Sequence, residues 1–534
     1  MNQKFTTNDI TLFTTNFKNM KQKIITIVIT LSMCFAINAQ VPEQIKPMLK
    51  QLVKSVEPLK DRNKIDARIS QFLSNAPTEE MRTKAIEFIN KECKSELVKE
   101  VLKSIKENQT TDNSEYIVLR GATIIDVISG DAKPGSILIK DDIIQEINYT
   151  QSLRAPKGAI THDLRGKYII PGLIDGHVHI THGTFDEAKE HLNIALNNGI
   201  TGVRDMGGDG RMLSALQRNM LIGEYTGSDI YFGAIIAGPK FFENDPRPQS
   251  VALGATAGEE AWQRAITDKT DFKQVVAELK GLGSTAIKIY ANVEPELIKK
   301  VSDEAKKQGL KVWAHAAIPP SKPSDVINGG ADCISHAGDF IQYELIKELK
   351  DRYSFKKREE AMEYRKELNS IKWDKNSKKV KEIFKSMVDN NTILDATLFV
   401  YTTGLTPKKP QQKVDSSRYK LAIKTTKLAY QAGVKINAGS DHLIDITQYG
   451  AKLNLHKELE LLSEAGLSNI DIIRSATIIN AEVVGAEKSI GSVENGKTAN
   501  LVVLNSNPLD DISNTTDIKL VIKRGKIITP TTSH

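Results

Sequence analysis

Residues 168–179 read YIIPGLIDGHVH. The apolar residues predict a strand, and its far end carries two imidazoles one residue apart. Side chains at i and i+2 of a strand point to the same side. His177 and His179 therefore face one way, which suits two ligands of a single metal ion. Without a metal, two buried histidines would need other polar partners.

Seven further apolar runs follow: TGVRDM, DIYFGAIIA, AIKIY, KVWAHA, CISHA, TILDATLFV and VKINAGSD. Amphipathic segments such as EPELIKKVSDEAKKQG and RYKLAIKTTKLAYQAG lie between them and stop at glycine, as helices often do. Eight strands alternating with helices over residues 167–485 predict an α/β fold, a closed parallel (β/α)8 TIM-like barrel. Residues 341–390 are rich in Lys and Glu and are expected to be a helical insertion, exposed beyond the sixth strand.

Outward from the barrel the period changes. Residues 115–165 and 486–532 are β-rich pieces broken by turn residues, and they predict one small β-sandwich built from both chain ends. Residues 41–113 place apolar side chains at helical spacing and predict an N-terminal helical extension. From Met20 the chain reads MKQKIITIVITLSMCFAINAQ. Two lysines, an apolar run from Ile24 to Ala36 and a small residue, Ala39, have the form of a secretory signal peptide. Residues 1–39 are therefore expected to be a signal region, with translation starting at Met20 and cleavage after Ala39. The apolar run falls short of the ~20 residues a membrane span needs. The mature chain is expected to have no integral span and to be periplasmic or secreted.

Composition narrows the classes. Of 534 residues, 40% are hydrophobic and 26% charged, close to globular values, which excludes collagen-like, wholly disordered and polytopic membrane chains. The net charge of +7 is spread along the chain rather than gathered in a basic tract, so no nucleic-acid partner is expected. Three cysteines, Cys34, Cys93 and Cys333, exclude a disulfide scaffold.

Active sites of such barrels lie at the C-terminal ends of the strands. The ionisable residues there form an ordered set: His177 and His179 on the first strand, Lys288 in the fourth, His315 on the fifth, His336 on the sixth and Asp441 on the eighth. Alternation puts Ile287 and Ile289 on the helix side and turns Lys288 into the barrel. Alone, Lys288 reads as a strand lysine reaching solvent, and Asp441 as a turn cap. Jointly, buried ionisable residues left unpaired are rare, and the set points to metal.

The segments PGLIDGHVHI, GITGVRDMG, AIKIYA, VWAHA, GADCISHAGD, INAGSDH and GSVENGKTANLVVL make the chain resemble the amidohydrolase superfamily, over roughly residues 115–530. Within it, the resemblance is to the branch of imidazolonepropionase-like proteins and prolidase-like dipeptidases. It implies two divalent metal ions, with His177, His179 and Asp441 on one and His315 and His336 on the other. It also implies that CO2 carboxylates Lys288, which then bridges both. A carbamate removes the lysine charge and supplies two oxygens; with imidazoles it suits Zn²⁺, while Mn²⁺, Fe²⁺ and Co²⁺ remain open. Asp441 is implied as the catalytic proton shuttle for a metal-bridging hydroxide.

The implied activity is hydrolysis of a C–N amide bond in a small substrate, a dipeptide or an N-acyl amino acid. The run His315-Ala316-Ala317-Ile318-Pro319 lacks the Glu that deaminases of the superfamily carry there. Many dipeptidases of the branch have Gly-Gly-His after the third strand, whereas this chain has IIAGPKFFENDPRPQS, which leaves dipeptide specificity open. Lactone or ester hydrolysis on the same site, and a metal-binding barrel without turnover, are the alternatives. Tyr290 is a candidate substrate contact or a core aromatic. Arg204 is a candidate carboxylate clamp or a structural partner of Asp205. A homo-oligomer is left open.

Overall fold

The computed structural model describes residues 46–61, 64–65, 68–69, 72–73, 79–110, 115–150, 153–351, 354–402, 405, 416–442 and 454–530. The expected signal region, 1–39, lies outside the described residues. Among them, no helix is long and apolar enough to cross a membrane. The chain divides into two compact units, 1–114 and 115–534.

The first unit is helical, with helices Lys46–Val56, Glu79–Glu92 and Glu96–Thr110. Leu49, Val53 and Val56 follow the three-to-four spacing of one helix face. They meet Ile86, Ile89, Val98, Val101 and Leu102 in one apolar cluster, with Cys93 buried among them.

The second unit opens with β1 (Tyr116–Ile125), β2 (Ala132–Lys140), β3 (Ile143–Asn148), β4 (Ile160–Asp163) and β5 (Tyr168–Pro171). The barrel strands follow: β6 (Leu173–Val178), β7 (Ile200–Asp205) and β8 (Asp229–Ala237). Two short strands, β9 (Glu259–Glu260) and β10 (Gln263–Ala265), hang on β8. The barrel continues with β11 (Ala286–Ile289), β12 (Lys311–His315), β13 (Cys333–Ser335), β14 (Ile393–Asp395) and β15 (Ile436–Asn437). The chain then returns through β16 (Leu501–Leu504), β17 (Ile518–Lys523) and β18 (Lys526–Ile528).

The two chain ends share one hydrogen-bonded sheet in the order β18-β17-β16-β5-β1-β2-β3, with β4 beside β1. The junction is β5 against β16, where Pro171 faces Leu501. The stretch 168–179 is therefore not one strand. Its first part belongs to the small sheet and its second to the barrel, with Gly172 between. A side chain at Gly172 would collide with Thr201.

Eight parallel strands run β6-β7-β8-β11-β12-β13-β14-β15. The residues after β15 close the ring on β6. Gly176 N–H donates to Ala438 O at 2.8 Å, and Asp441 N–H donates to His177 O at 2.8 Å. Gly176 permits that approach, because a Cβ there would run into Asn480, Asn437 and the Ala438 carbonyl. Period two divides each strand's residues between two faces. Val203, Ile287, Ile289, Val312 and Ala314 join the large core shared with the helices. Arg204, Lys288 and Trp313 alternate with them and point the other way, inside the ring.

Two further details differ from the sequence reading. Residues 341–390 were expected as an exposed elaboration, but only part of them is one. Helix Arg358–Ser370 buries Leu368 alone. Helix Lys378–Asp389 carries Val380, Ile383, Phe384 and Met387 into the main core, and it is the barrel helix before β14. Its apolar stripe is hidden in a Lys-rich composition. The run TILDATLFV holds a strand only at Ile393–Asp395, and Leu398–Thr402 is helix. The buried Glu458 carboxylate accepts the N–H groups of Leu398 and Phe399 at 3.0 and 2.6 Å and so starts that helix.

Candidate metal centre

The six residues picked from the strand ends line one cavity of about 540 Å³ at the barrel mouth. His177 is next to last in β6 and 1% exposed, and His179 lies just beyond it. His315 ends β12, His336 follows β13, and Asp441 stands four residues after β15. Lys288 is fully buried. His336, Thr397 and Asp441 have φ of 82°, 48° and 59°. Non-glycine residues rarely adopt such angles, and when they do they cluster where a site demands a particular aim.

The tightest group is His177, His179 and Asp441, whose ligand atoms lie within 4.8 Å of one another. Asp441 Oδ1 is 3.2 Å from His177 Nε2 and 3.3 Å from His179 Nε2. Its other oxygen is 4.0 Å from His336 Nδ1. The ring of His336 sits 5.2 Å from that of His177 and 4.9 Å from that of His315. Lys288 completes the wall, its Nζ 3.2 Å from Ser335 Oγ.

Hydrogen bonds on the far sides of the rings orient them. His315 Nδ1 is 3.0 Å from the Tyr290 carbonyl, which only accepts, so the proton is on Nδ1 and the Nε2 lone pair is available. His177 Nδ1 is 2.6 Å from the Asp395 carboxylate and is protonated for the same reason. His336 Nδ1 is 3.0 Å from Thr397 Oγ1. Such partners orient metal-ligating histidines and raise their basicity.

Electrostatics press His315, His336 and Lys288 toward their neutral forms, whereas at His177 burial is outweighed by the Asp441 and Asp395 charges and the ring is raised above the ordinary imidazole value. Burial, with Lys288 and His336 nearby, holds His315 well below the usual imidazole range. Burial likewise pushes His336 down to about 3, the attraction of Asp441 being too small to offset it. Lys288 is lowered to about 7 by burial and by the Arg204 charge. Burial works against ionised Asp441, but the neighbouring His177, His179 and His336 together outweigh it and keep the carboxyl well below its ordinary value. Imidazoles and a carboxylate are the donor set that first-row dications take. His179 Nδ1 is enclosed without a hydrogen-bond partner, so that ring's bonding is incomplete within the protein. The residues present fit a metal centre.

Arg204 requires a correction. It is fully buried, is not on the cavity wall, and pairs with Asp395 rather than Asp205. Its Nη2 donates to Asp395 Oδ2 at 2.7 Å, its Nη1 lies 3.3 Å from Cys333 Sγ, and its Nε donates to the Gly176 carbonyl. Its guanidinium carbon is 4.9 Å from the Trp313 ring centre. Asp205 instead accepts the N–H groups of Ile180 and Gly207 at 2.7 and 3.1 Å. The alternation of β7 turns Arg204 into the barrel where solvent does not reach.

Tyr290 is on the cavity wall, its ring 4.1 Å from that of His315 and 4.7 Å from that of Phe241. Over it, at 5.6 Å, lies the guanidinium of Arg247, a cavity residue that sequence reasoning passed over. Arg247 is in the second helix after β8, Pro246–Ala252, its side chain half exposed and bonded to Asp245 at 2.8 and 2.6 Å. The available signal was the cation in NDPRPQS, on a loop at the strand's C-terminal end. Asp395 was also missed, since a lone Asp at a strand end carries no spacing motif. His182, His191 and His442 share the cavity wall, whereas His456 is buried elsewhere, bonded to Thr515 and Asn198.

Known proteins bear on this geometry. An 85-residue segment is 34% identical to adenine deaminase of Oceanobacillus iheyensis, covering 16% of this chain and 13% of that protein. A 227-residue segment is 29% identical to enamidase of Eubacterium barkeri, covering 39% of this chain and 54% of the other. The matched part thus spans little more than half of the latter relative and far less of the former. Among solved structures, a Xaa-Pro dipeptidase with methionine in its active site shares the fold, at TM-score 0.59 and 22% identity over 78% of this chain and all of that one. The profile of the amidohydrolase family matches residues 168–528, more than half the chain, and the protein belongs to that family.

Proposed function

We propose that this protein is an exported two-metal hydrolase that cleaves a C–N amide bond in a small substrate bearing a carboxylate, a dipeptide or an N-acyl amino acid. The observation that carries the reading is the convergence of six metal-competent side chains from five strands on one cavity. His177, His179 and Asp441 would hold one ion, His315 and His336 the other, and a carboxylated Lys288 would bridge them. Bound zinc or a similar dication would supply a hydroxide nucleophile at neutral pH and polarise the scissile carbonyl.

The protein's own groups do the rest. Asp441 is an ionised carboxylate against two imidazoles, placed to take the proton of the attacking water and return it to the leaving nitrogen. Carboxylation of Lys288 joins its nitrogen to the carbon of CO2 and releases one proton. That step needs the neutral amine, which burial and the Arg204 charge favour. Arg247 and Tyr290 face the same cavity and would receive the substrate carboxylate, as a guanidinium does well. Export rests on the apolar run after Lys21 and Lys23.

The test is a panel of dipeptides, including Xaa-Pro, with N-acyl amino acids and lactones, on metal-loaded full-length protein whose metal content is measured. Amide cleavage with two ions per chain is expected. Lactone cleavage alone would assign an esterase, and two ions with no turnover would leave a binding barrel. Lys288→Ala should lose metal and activity, with partial recovery in acetate or formate. Full activity with an unmodified Lys288 would remove the bridge. N-terminal sequencing of exported material should start at Gln40; retention of Met20 would refute cleavage.

A further inference from the structure

The cavity wall accounts for the ligands but not for what holds them. Asp395, the last residue of β14, is fully buried and is not on that wall. Its Oδ2 is met by groups from three other strands: His177 Nδ1 of β6 at 2.6 Å, Arg204 Nη2 of β7 at 2.7 Å and Ser335 Oγ of β13 at 2.8 Å. Its Oδ1 lies 3.4 Å from Asn437 Nδ2 of β15. Ser335 has a single hydroxyl proton, and an ionised carboxylate can only accept, so that proton goes to Asp395. The hydroxyl's lone pairs are then left for Lys288 Nζ of β11, at 3.2 Å. One carboxylate thereby reaches, directly or through one hydroxyl, five strands besides its own.

We propose that Asp395 is the positioning residue of the metal centre, holding His177 directly and Lys288 through Ser335, so that the two ion sites are assembled by one side chain. The inference rests on the two-metal reading above. On the His177 branch, the carboxylate fixes the proton on Nδ1 and presents Nε2 to the cavity. On the Lys288 branch, an N–H given to Ser335 fixes the rotation of the amine and leaves its lone pair for the carbon of CO2. The carbamate that forms keeps one N–H, having released one proton, and Ser335 can go on accepting it. The same bond therefore serves the lysine before and after modification. Arg204 supplies the counter-charge that lets a carboxylate exist in so enclosed a place.

The experiment titrates full-length, metal-stripped protein with Co²⁺, following visible absorption and chelator competition, for the wild type and three variants. Asp395→Asn should weaken both ions, each by about 10- to 100-fold, the range for loss of a ligand's hydrogen-bond partner. Ser335→Ala, which touches only the Lys288 branch, should weaken the His315–His336 ion more than the other, which keeps three further ligands, and Ser335→Thr, which keeps the hydroxyl, should restore it. Folding of each variant is checked by circular dichroism without metal. A folded Asp395→Asn with wild-type affinity at both sites, or with one site alone affected, overturns the proposal. Should Asp395→Asn not fold, the Ser335 pair decides: two ions of wild-type affinity in Ser335→Ala overturn it. A wild type that binds a single ion defeats the two-metal reading itself; a two-ion wild type with unaffected variants defeats only the role of Asp395.

Discussion

Two sets of polar side chains share the barrel interior, and they are bonded in opposite ways. The enclosed set, Asp395, Arg204, Ser335 and Asn437, is saturated by its own members together with His177, Gly176, Cys333 and Asn480, and Asp395 Oδ2 alone meets three donors. In the cavity set, His177, Lys288, His315 and His336 are bonded on their far sides, His179 Nδ1 has no partner, and these four histidines, Lys288 and Asp441 line the mouth. His177 belongs to both, with Nδ1 in one and Nε2 in the other. A buried polar group left unpaired costs roughly 1–3 kcal/mol, a cost that a bound ion would offset in the cavity. On the proposed reading, the saturated set positions and the open set reacts.

The contrast can be broken by experiment, beginning with the largest effect. Asp441→Asn should lower kcat by roughly 10³-fold, within the range for loss of a positioned proton carrier, while the unfolding midpoint stays near wild type. Near-normal turnover with metal content intact would move Asp441 out of the chemistry. The reverse is expected of the enclosed set. Arg204→Met should cost about 3–5 kcal/mol of stability in metal-free protein, because it strands Asp395 without its cation. Denaturant unfolding that gives a loss under 1 kcal/mol would show that the enclosed set is not saturated as described.

A third test uses a histidine outside both sets. His456 is bonded through both ring nitrogens, so His456→Ala should cost about 1–3 kcal/mol in unfolding and leave metal content unchanged. Loss of metal in a folded His456→Ala would blur the distinction between positioning and reacting histidines. The smallest effect is at the rim. Arg247→Ala should raise KM about tenfold, or about 1.4 kcal/mol, for substrates with a free carboxylate and leave their C-terminal amides untouched. An equal rise for both would make Arg247 a wall residue rather than an anchor.

Legibility in the sequence followed the range of the interaction. His177 and His179 were read from a two-residue spacing, and Lys288 was read as inward from its flanking isoleucines, which do lie in the outer core. Helical spacing in residues 41–113 marked Ile45, Met48, Leu49, Leu52, Ile86, Ile89, Val98, Val101 and Leu102; Leu49 and the last five are buried, Met48 and Leu52 are half-buried, and Ile45 lies outside the described residues. Misreadings arose where composition masked period, as in the Lys-rich helix Lys378–Asp389, or where a distant group overrode it, as with Glu458 on the run after β14. Arg204 was assigned to substrate because its residue type suits a carboxylate; the carboxylate it meets is Asp395, 191 residues away.

The sequence by itself determined the alternation of strands and helices, the inward faces of those strands, and the residue types available at their ends. These follow from backbone geometry, which gives every strand a period of two whatever surrounds it. Only the tertiary structure decided which polar groups meet. It split residues 168–179 between two sheets, closed the residues after β15 onto β6, and brought Asp395 to His177 across 218 residues of chain. Hydrogen bonds of that kind depend on the register between distant strands, and no local period encodes register.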